Sequence, residues 1–426
     1  MKKKYRIILY TSIFLLCVVA SIILVVKKSN SVYEEESKPK VVKHKSMLSM
    51  NLEQTAGAGD YKTVTQSKWP TEGYKFNAEL SRCENGSTLS WDDTKKAVIV
   101  SGNLSDKCYV YFDIYQPTLA EYIKSQYTGT QGENNIYYHD SDLANGAGDN
   151  SYRYAGANPN NFVCFGTTES PCPTDNLYRI IGVFGENYHG VTGKQLVKLI
   201  KYDYMTTDEL GTDGDYSQTY KEWGMDSTYK GTYGDGERIG VYFWNKDAST
   251  NTWSTSLLNK TNLNTNFINY LGTTWANKIA TVTWKVGGNT WANIGAKTSS
   301  VAYTNEITNP VTTNTTDNAT TYSAKIGLMY VSDYGFAASP DAWTLTMSSY
   351  NNTTATNNNW MYMGLYEWTI SRYAGGSNFA FRVGSDGGVD SSGVGSDRGV
   401  RASFNLESSV SYVSGSGSMS DPIVIN

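Results

Sequence analysis

The sequence predicts an α+β fold, and three observations carry that prediction. Short apolar and aromatic runs, bounded by Gly, Asn, Asp and Ser, recur along residues 69–426, as strands and their turns require. Only two stretches carry helix signals, a capping box near residue 118 and a helical spacing of apolar residues across 253–271. Tyr is 33 and Trp 11 against 18% charged residues, so the chain buries aromatics in short elements and solvates itself with amides and hydroxyls.

Taken in order, the chain begins with Lys2, Lys3, Lys4 and Arg6, runs through the uncharged apolar stretch Ile7–Val26, and closes with Lys27 and Lys28. About 20 apolar residues suffice for a helix to cross a bilayer, and the basic flank predicts a cytoplasmic N-terminus. A cleaved signal peptide is the rival, but the run is long for such a segment. Leu16 before Cys17 is too bulky for a lipidation site. The expected layout is a cytoplasmic tip and transmembrane anchor at 1–28, a flexible charge-mixed stalk at 29–68, a small β unit with a short helix at 69–148, and a large domain at 149–426. The expected location is the cell membrane, single-pass, with the C-terminal domain outside. The formal net charge of −4 argues against nucleic acid as a partner.

In the small unit, Tyr74–Leu80, Ser87–Asp92, Ala97–Ser101 and Cys108–Ile114 are strand candidates, and Thr118 with Glu121 heads a helix over Leu119–Gln126. Cys83, Cys108, Cys164 and Cys172 form an even set in an oxidising setting. Three pairings are formally possible. Cys83–Cys108 and Cys164–Cys172 are favoured because each brackets its own segment, and without a CxxC zinc is the weaker reading. In the large unit, Leu177–Phe184 and Gln195–Lys201 read as a hairpin, and Trp253–Leu271 as a helix. Ile279–Val286, Ile326–Val331, Glu367–Ser371, Phe379–Val383, Val400–Leu406 and Ile423–Ile425 read as further strands. Thr308–Ala324 reads as a surface loop.

Chemistry-bearing constellations are sparse. His is 3 in the whole chain, and no GxSxG or HExxH occurs. A carboxylate-pair glycoside hydrolase stays open, yet no Asp or Glu spacing singles out a pair. Asp140–Asp149 resembles a calcium loop superficially, with Ala144 at a ligand position and Gly146 one place late; Asp213 and Asp215 are a similar case. No catalytic residue, metal or cofactor is assigned. The tract Trp368–Leu406 differs: between framework-like ends it is rich in Gly, Ser, Asp, Asn, Tyr, Phe and Arg, the residues that recognition surfaces use.

The segments DNSYRYAGANPNNFVCF (149–165), LYRIIGVF (177–184), WSTSLLNKTNL (253–263), KIGLMYVSDYGFAA (325–338), EWTISR (367–372), AFRVGSDGGV (380–389) and GVRASFNL (399–406) together resemble a family of exported Firmicutes-type surface proteins. The C-terminal halves of that family are similar to the C-type-lectin-like fold of formylglycine-generating enzymes and of diversity-generating retroelement target proteins. Ala402 stands where the family has proline. The resemblance implies a C-type-lectin-like domain over 149–426 that presents irregular C-terminal loops. It does not extend to formylglycine chemistry, which needs cysteine-bound copper, because the cysteines here are assigned to bridges. Retroelement diversification at AAY codons cannot produce Lys, Glu, Gln, Trp or Met, and Arg372–Arg398 contains none of the five.

The expected function is non-covalent recognition of an extracellular protein or glycan through this tract, without turnover. Arg372, Tyr373, Asn378, Phe379, Phe381, Arg382, Asp386, Asp390, Ser391, Ser392, Asp397 and Arg398 are the expected ligand contacts. Strand alternation places Phe379, Phe381 and Val383 on one side and Ala380 and Arg382 on the other, with at least one of the two Phe in the core. A cell-surface enzyme and a passive structural protein are the alternatives.

Overall fold

The computed structural model describes residues 48–65, 68–70, 73–103, 105–220, 228–233, 238–310, 319–351 and 357–426. The chain divides into two compact units, Met1–Tyr115 and Gln116–Asn426.

The first unit is built from β1 (Leu48–Glu53), β2 (Tyr61–Val64), β3 (Tyr74–Cys83), β4 (Thr88–Asp92), β5 (Ala97–Ser101) and β6 (Cys108–Ile114). Four of them form a sheet in the order β2-β1-β6-β3, and β4 and β5 pair as a separate hairpin. Strand alternation sorts the side chains: Val110 and Phe112 of β6 meet Met50 and Leu52 of β1 in the core, while Tyr109, Tyr111 and Asp113 point the other way. Trp69, Phe76 and Trp91 surround the Phe112 ring at 5.6–5.9 Å. Cys83 and Cys108 are cross-strand partners and are joined by a disulfide. The expected stalk therefore ends earlier than 68. Leu48, Met50 and Leu52 alternate with polar residues, and that pattern seats β1 beside β6.

The second unit holds β7 (Ile136–His139), β8 (Ser151–Tyr154), β9 (Phe162–Cys164), β10 (Leu177–Phe184), β11 (Leu196–Lys201), β12 (Tyr216–Thr219), β13 (Gly240–Phe243), β14 (Val282–Lys285), β15 (Thr321–Ala324), β16 (Ile326–Gly327), β17 (Glu367–Arg372), β18 (Phe379–Val383), β19 (Val389–Gly393), β20 (Asp397–Arg398), β21 (Ser403–Asn405), β22 (Tyr412–Ser414) and β23 (Val424–Ile425). Its largest sheet follows the order β16-β21-β11-β10-β8-β7, with β9 also on β10. Every residue of β10 and β11 is buried, which explains why LYRIIGVF and LVKLIK do not alternate apolar with polar residues; Arg179, Lys198 and Lys201 are buried with the rest. At Gly182 a Cβ would stand 2.2 Å from the Tyr152 carbonyl oxygen, so only glycine lets β8 close on β10. The second disulfide, Cys164–Cys172, ties β9 to the following loop. The helix Leu119–Ser125 carries the capping box expected at Thr118 and Glu121, and it belongs to this unit.

Two expectations are corrected. Strand outweighs helix, 34% against 21%, so the structure is mostly β rather than the α+β fold that the sequence predicts. Among the described residues no helix is long and apolar enough to cross a membrane, and residues 7–26 lie outside the described residues, so single-pass membrane localisation is not retained. Among the described residues the longest helical stretch, 258–276, contains Lys260 with repeated Asn and Thr and is broken at Gly272. It starts at Leu258 rather than Trp253 because the Asp215 carboxylate accepts the Leu258 N–H at 2.6 Å. Its first part, Leu258–Phe267, is wound as a π-helix, with Asn264 and Thr265 side chains donating to the carbonyls of Asn259 and Lys260. The strand expected at Ile326–Val331 stops at Gly327, and a buried helix follows at Val331–Ala337, where Asp333 accepts the Tyr330 N–H. In the expected loop Thr308–Ala324, the last four residues form β15 against β14.

Candidate recognition face

β17, β18 and β19 form an antiparallel meander, and β20 pairs with β13, which pairs with β12. In that register Arg382 lies opposite Asp390, and Ala380 opposite Ser392. Arg382 donates from Nε and Nη2 to the two Asp390 oxygens at 2.6 and 3.0 Å, a two-pronged contact that fixes the guanidinium plane. The Arg382 side chain is 15% exposed and the Asp390 side chain 46%, so the pair stands at the surface.

Tyr366, directly before β17, completes the centre of this face. Arg382 and Arg398 both stand over its ring, at 4.3 and 5.0 Å from the centroid, within the range of cation–π attraction. Arg398 donates to the Asp397 carbonyl at 2.7 Å and to Ser392 Oγ at 3.3 Å. Burial and then the nearby Arg382 charge lower the Arg398 guanidinium from its ordinary pKa. Asp397 is held by β12, where Ser217 Oγ and Gln218 Nε2 both donate to Oδ2 at 3.0 Å. Arg382, Asp390, Ser392, Asp397 and Arg398, all singled out in the sequence, thus lie together. Tyr366, Ser217 and Gln218 join them without having been singled out in the sequence. An aromatic residue beside a strand start was the available signal for Tyr366.

The other expected contacts are placed differently. Arg372 is 2% exposed and donates from Nε to the Val286 carbonyl at 3.2 Å; Phe381 is fully buried. Neither can meet a ligand without unpacking, which corrects their assignment. Phe379 is 37% exposed at the far end of the meander, beside the exposed Asn378. Half-buried Tyr373 packs its ring against both Phe379 and Phe381. Ser391 is half-buried opposite Phe381. Asp386 is exposed in the turn between β18 and β19, where Oδ1 accepts the Gly388 N–H at 3.0 Å. Buried Tyr334 and Tyr362 donate to the Gly387 and Ser385 carbonyls and hold that turn from below.

The two calcium-like loops spend their carboxylates on the protein. Asp140 accepts the Asp142 and Leu143 N–H groups, and Asp149 accepts from Ser151, Arg153 and Tyr303. Asp215 accepts the Lys246 and Leu258 N–H groups, and Asp213 accepts from Asn266. Among the described residues no group of three or more His, Cys, Asp or Glu could hold a metal ion. His139 and His189 are buried in the core; burial pushes the pKa of each below the ordinary histidine value. No family model, no curated protein and no solved structure matches the chain.

Proposed function

We propose that this protein is a recognition protein that binds an extracellular protein or glycan non-covalently, without turnover, through the face around Tyr366, Arg382, Asp390, Ser392, Asp397 and Arg398. The observation that carries this reading is the Tyr366 ring clasped by Arg382 and Arg398 on a partly exposed face whose strands are fixed in a buried core. Arg and Tyr anchors of this kind dominate the energetics of interfaces, and rigid elements hold such anchors more accurately than free loops do. The two disulfides support an oxidising setting for the encounter. The reading includes retroelement diversification of the exposed positions within Arg372–Arg398; a near-copy of those codons beside a reverse transcriptase gene, differing only at adenines, is the observation it requires.

The test is direct binding of the full chain to a glycan array and to a displayed-protein library. Arg382→Ala and Tyr366→Ala should each weaken the selected interaction by about 2 kcal/mol, roughly thirtyfold, with the melting temperature nearly unchanged. Binding that ignores both substitutions, or no selective binding at all, rejects the reading.

A further inference from the structure

The core of the second unit holds an ammonium and a carboxylate that no solvent reaches. Lys198 of β11 and Asp333 of the helix Val331–Ala337 both have side chains at 0% exposure, and Lys198 Nζ lies 2.7 Å from Asp333 Oδ2. Their contact spans 135 residues of sequence. The rings of Tyr188, Trp284 and Tyr330 surround Nζ with centroids 4.4–4.9 Å away. We propose that these two residues condense into an intramolecular amide bond, Lys198 Nζ to Asp333 Cγ, which ties β11 covalently to the helix.

The surroundings supply what the step needs. Burial pushes the Lys198 ammonium toward its neutral form. One proton passes from Nζ to Asp333 Oδ2, and the freed lone pair attacks Cγ. Negative charge then develops on Oδ1, which already accepts the Tyr188 O–H at 2.6 Å and has Arg153 Nη1 at 3.9 Å. A donor preset at a developing oxyanion, here the Tyr188 hydroxyl, with a cation close by, stabilises that charge without reorganisation. A second proton passes from the nitrogen to Oδ2, the Cγ–Oδ2 bond breaks, and water leaves. Ammonium and carboxylate become a secondary amide and one water, so no oxidant, reductant or outside acid is required. The product also replaces two buried charges by a neutral group, which relieves their desolvation cost. The packing holds the Lys198 ammonium against the Asp333 carboxylate, Nζ to Oδ2 at 2.7 Å, and proximity of this kind is what an intramolecular reaction gains from.

The test is peptide mapping by mass spectrometry on the folded full chain, together with the Lys198→Met variant. The expected result is a branched peptide joining the Lys198 and Asp333 segments, lighter than their sum by one water, and absent from the variant. Folded wild-type protein that yields the two segments separately at full mass overturns the proposal. So does a loss of water that maps to any other pair of residues. The wild-type map decides the question by itself if the variant does not fold.

Discussion

Glu367 and Arg401 meet at 2.9 Å, Oε1 to Nε, with both side chains sealed from solvent. The pair fastens β17 to the segment that leads into β21, the strand beside β11 in the largest sheet. Arg401 also donates from Nη2 to the Met361 carbonyl at 2.5 Å, so it closes the chain just before Tyr366. Removing one partner leaves the other charge buried and unpaired, a change that costs about 3–5 kcal/mol. Glu367→Ala or Arg401→Ala should therefore lower the denaturation midpoint of the second unit strongly. The double replacement Glu367→Leu with Arg401→Met should lose much less than the sum, as chemical denaturation of all three variants would measure.

Asp149 supplies a pH dependence with a defined sign. Burial by itself would raise its carboxyl, but the Arg153 guanidinium and the hydroxyls of Ser151 and Tyr303 outweigh it and bring the pKa down to about 2. A depressed carboxyl contributes stability above its unfolded value, near 3.9, and loses it as the pH falls through the folded value. The shift corresponds to a contribution on the order of 2 kcal/mol. The stability difference between wild type and Asp149→Asn should be full at neutral pH and shrink between pH 4 and pH 2. A difference that stays constant across that window would refute the assignment.

Much of this architecture was legible in local residue patterns. The Thr118–Glu121 capping box, the strands at Ala97–Ser101, Cys108–Ile114, Leu177–Phe184 and Phe379–Val383, and both disulfide pairings follow from signals a few residues long. What was hidden depends on distant partners. Val389–Gly393 has one large apolar residue and becomes a strand because Arg382 and Asp390 face each other across the pair. Ser217 reaches Asp397 across 180 residues, beyond the range of any spacing rule. Arg372 and Phe381 share the composition of a recognition tract, yet β18 packs Phe381 inward and the Val286 carbonyl holds Arg372. Composition treats that tract as one unit, and packing decides which of its side chains face out.

The two disulfides close loops of unequal length, with sequence separations of 25 and 8. Chain entropy alone assigns about 3.5 kcal/mol to the first and about 2.6 kcal/mol to the second. The first also lies in a small unit with a limited core, where a cross-link counts for more. Cys83→Ala with Cys108→Ala should unfold the first unit at lower denaturant than wild type and leave the transition of the second unit in place. Hydrogen exchange resolved by peptide would show which unit opens.

Asn251 governs the far end of the β17–β19 meander without reaching the surface. It is fully buried, and its Nδ2 donates to the carbonyls of Tyr373, Phe379 and Gly376 at 2.7, 2.8 and 3.1 Å. Those carbonyls belong to the connection between β17 and β18 that displays Asn378 and Phe379. Asn251→Ala removes this donor; the Phe379 carbonyl keeps the Tyr373 N–H at 3.0 Å, whereas the Tyr373 and Gly376 carbonyls lose the bond, at a cost of about 1–3 kcal/mol. The fault should stay local, because β18 remains paired with both β17 and β19 through Ala380–Val383. Amide exchange should accelerate across 373–379 while β10 and β11 keep their protection. If exchange in that connection is unchanged, something other than Asn251 holds its shape.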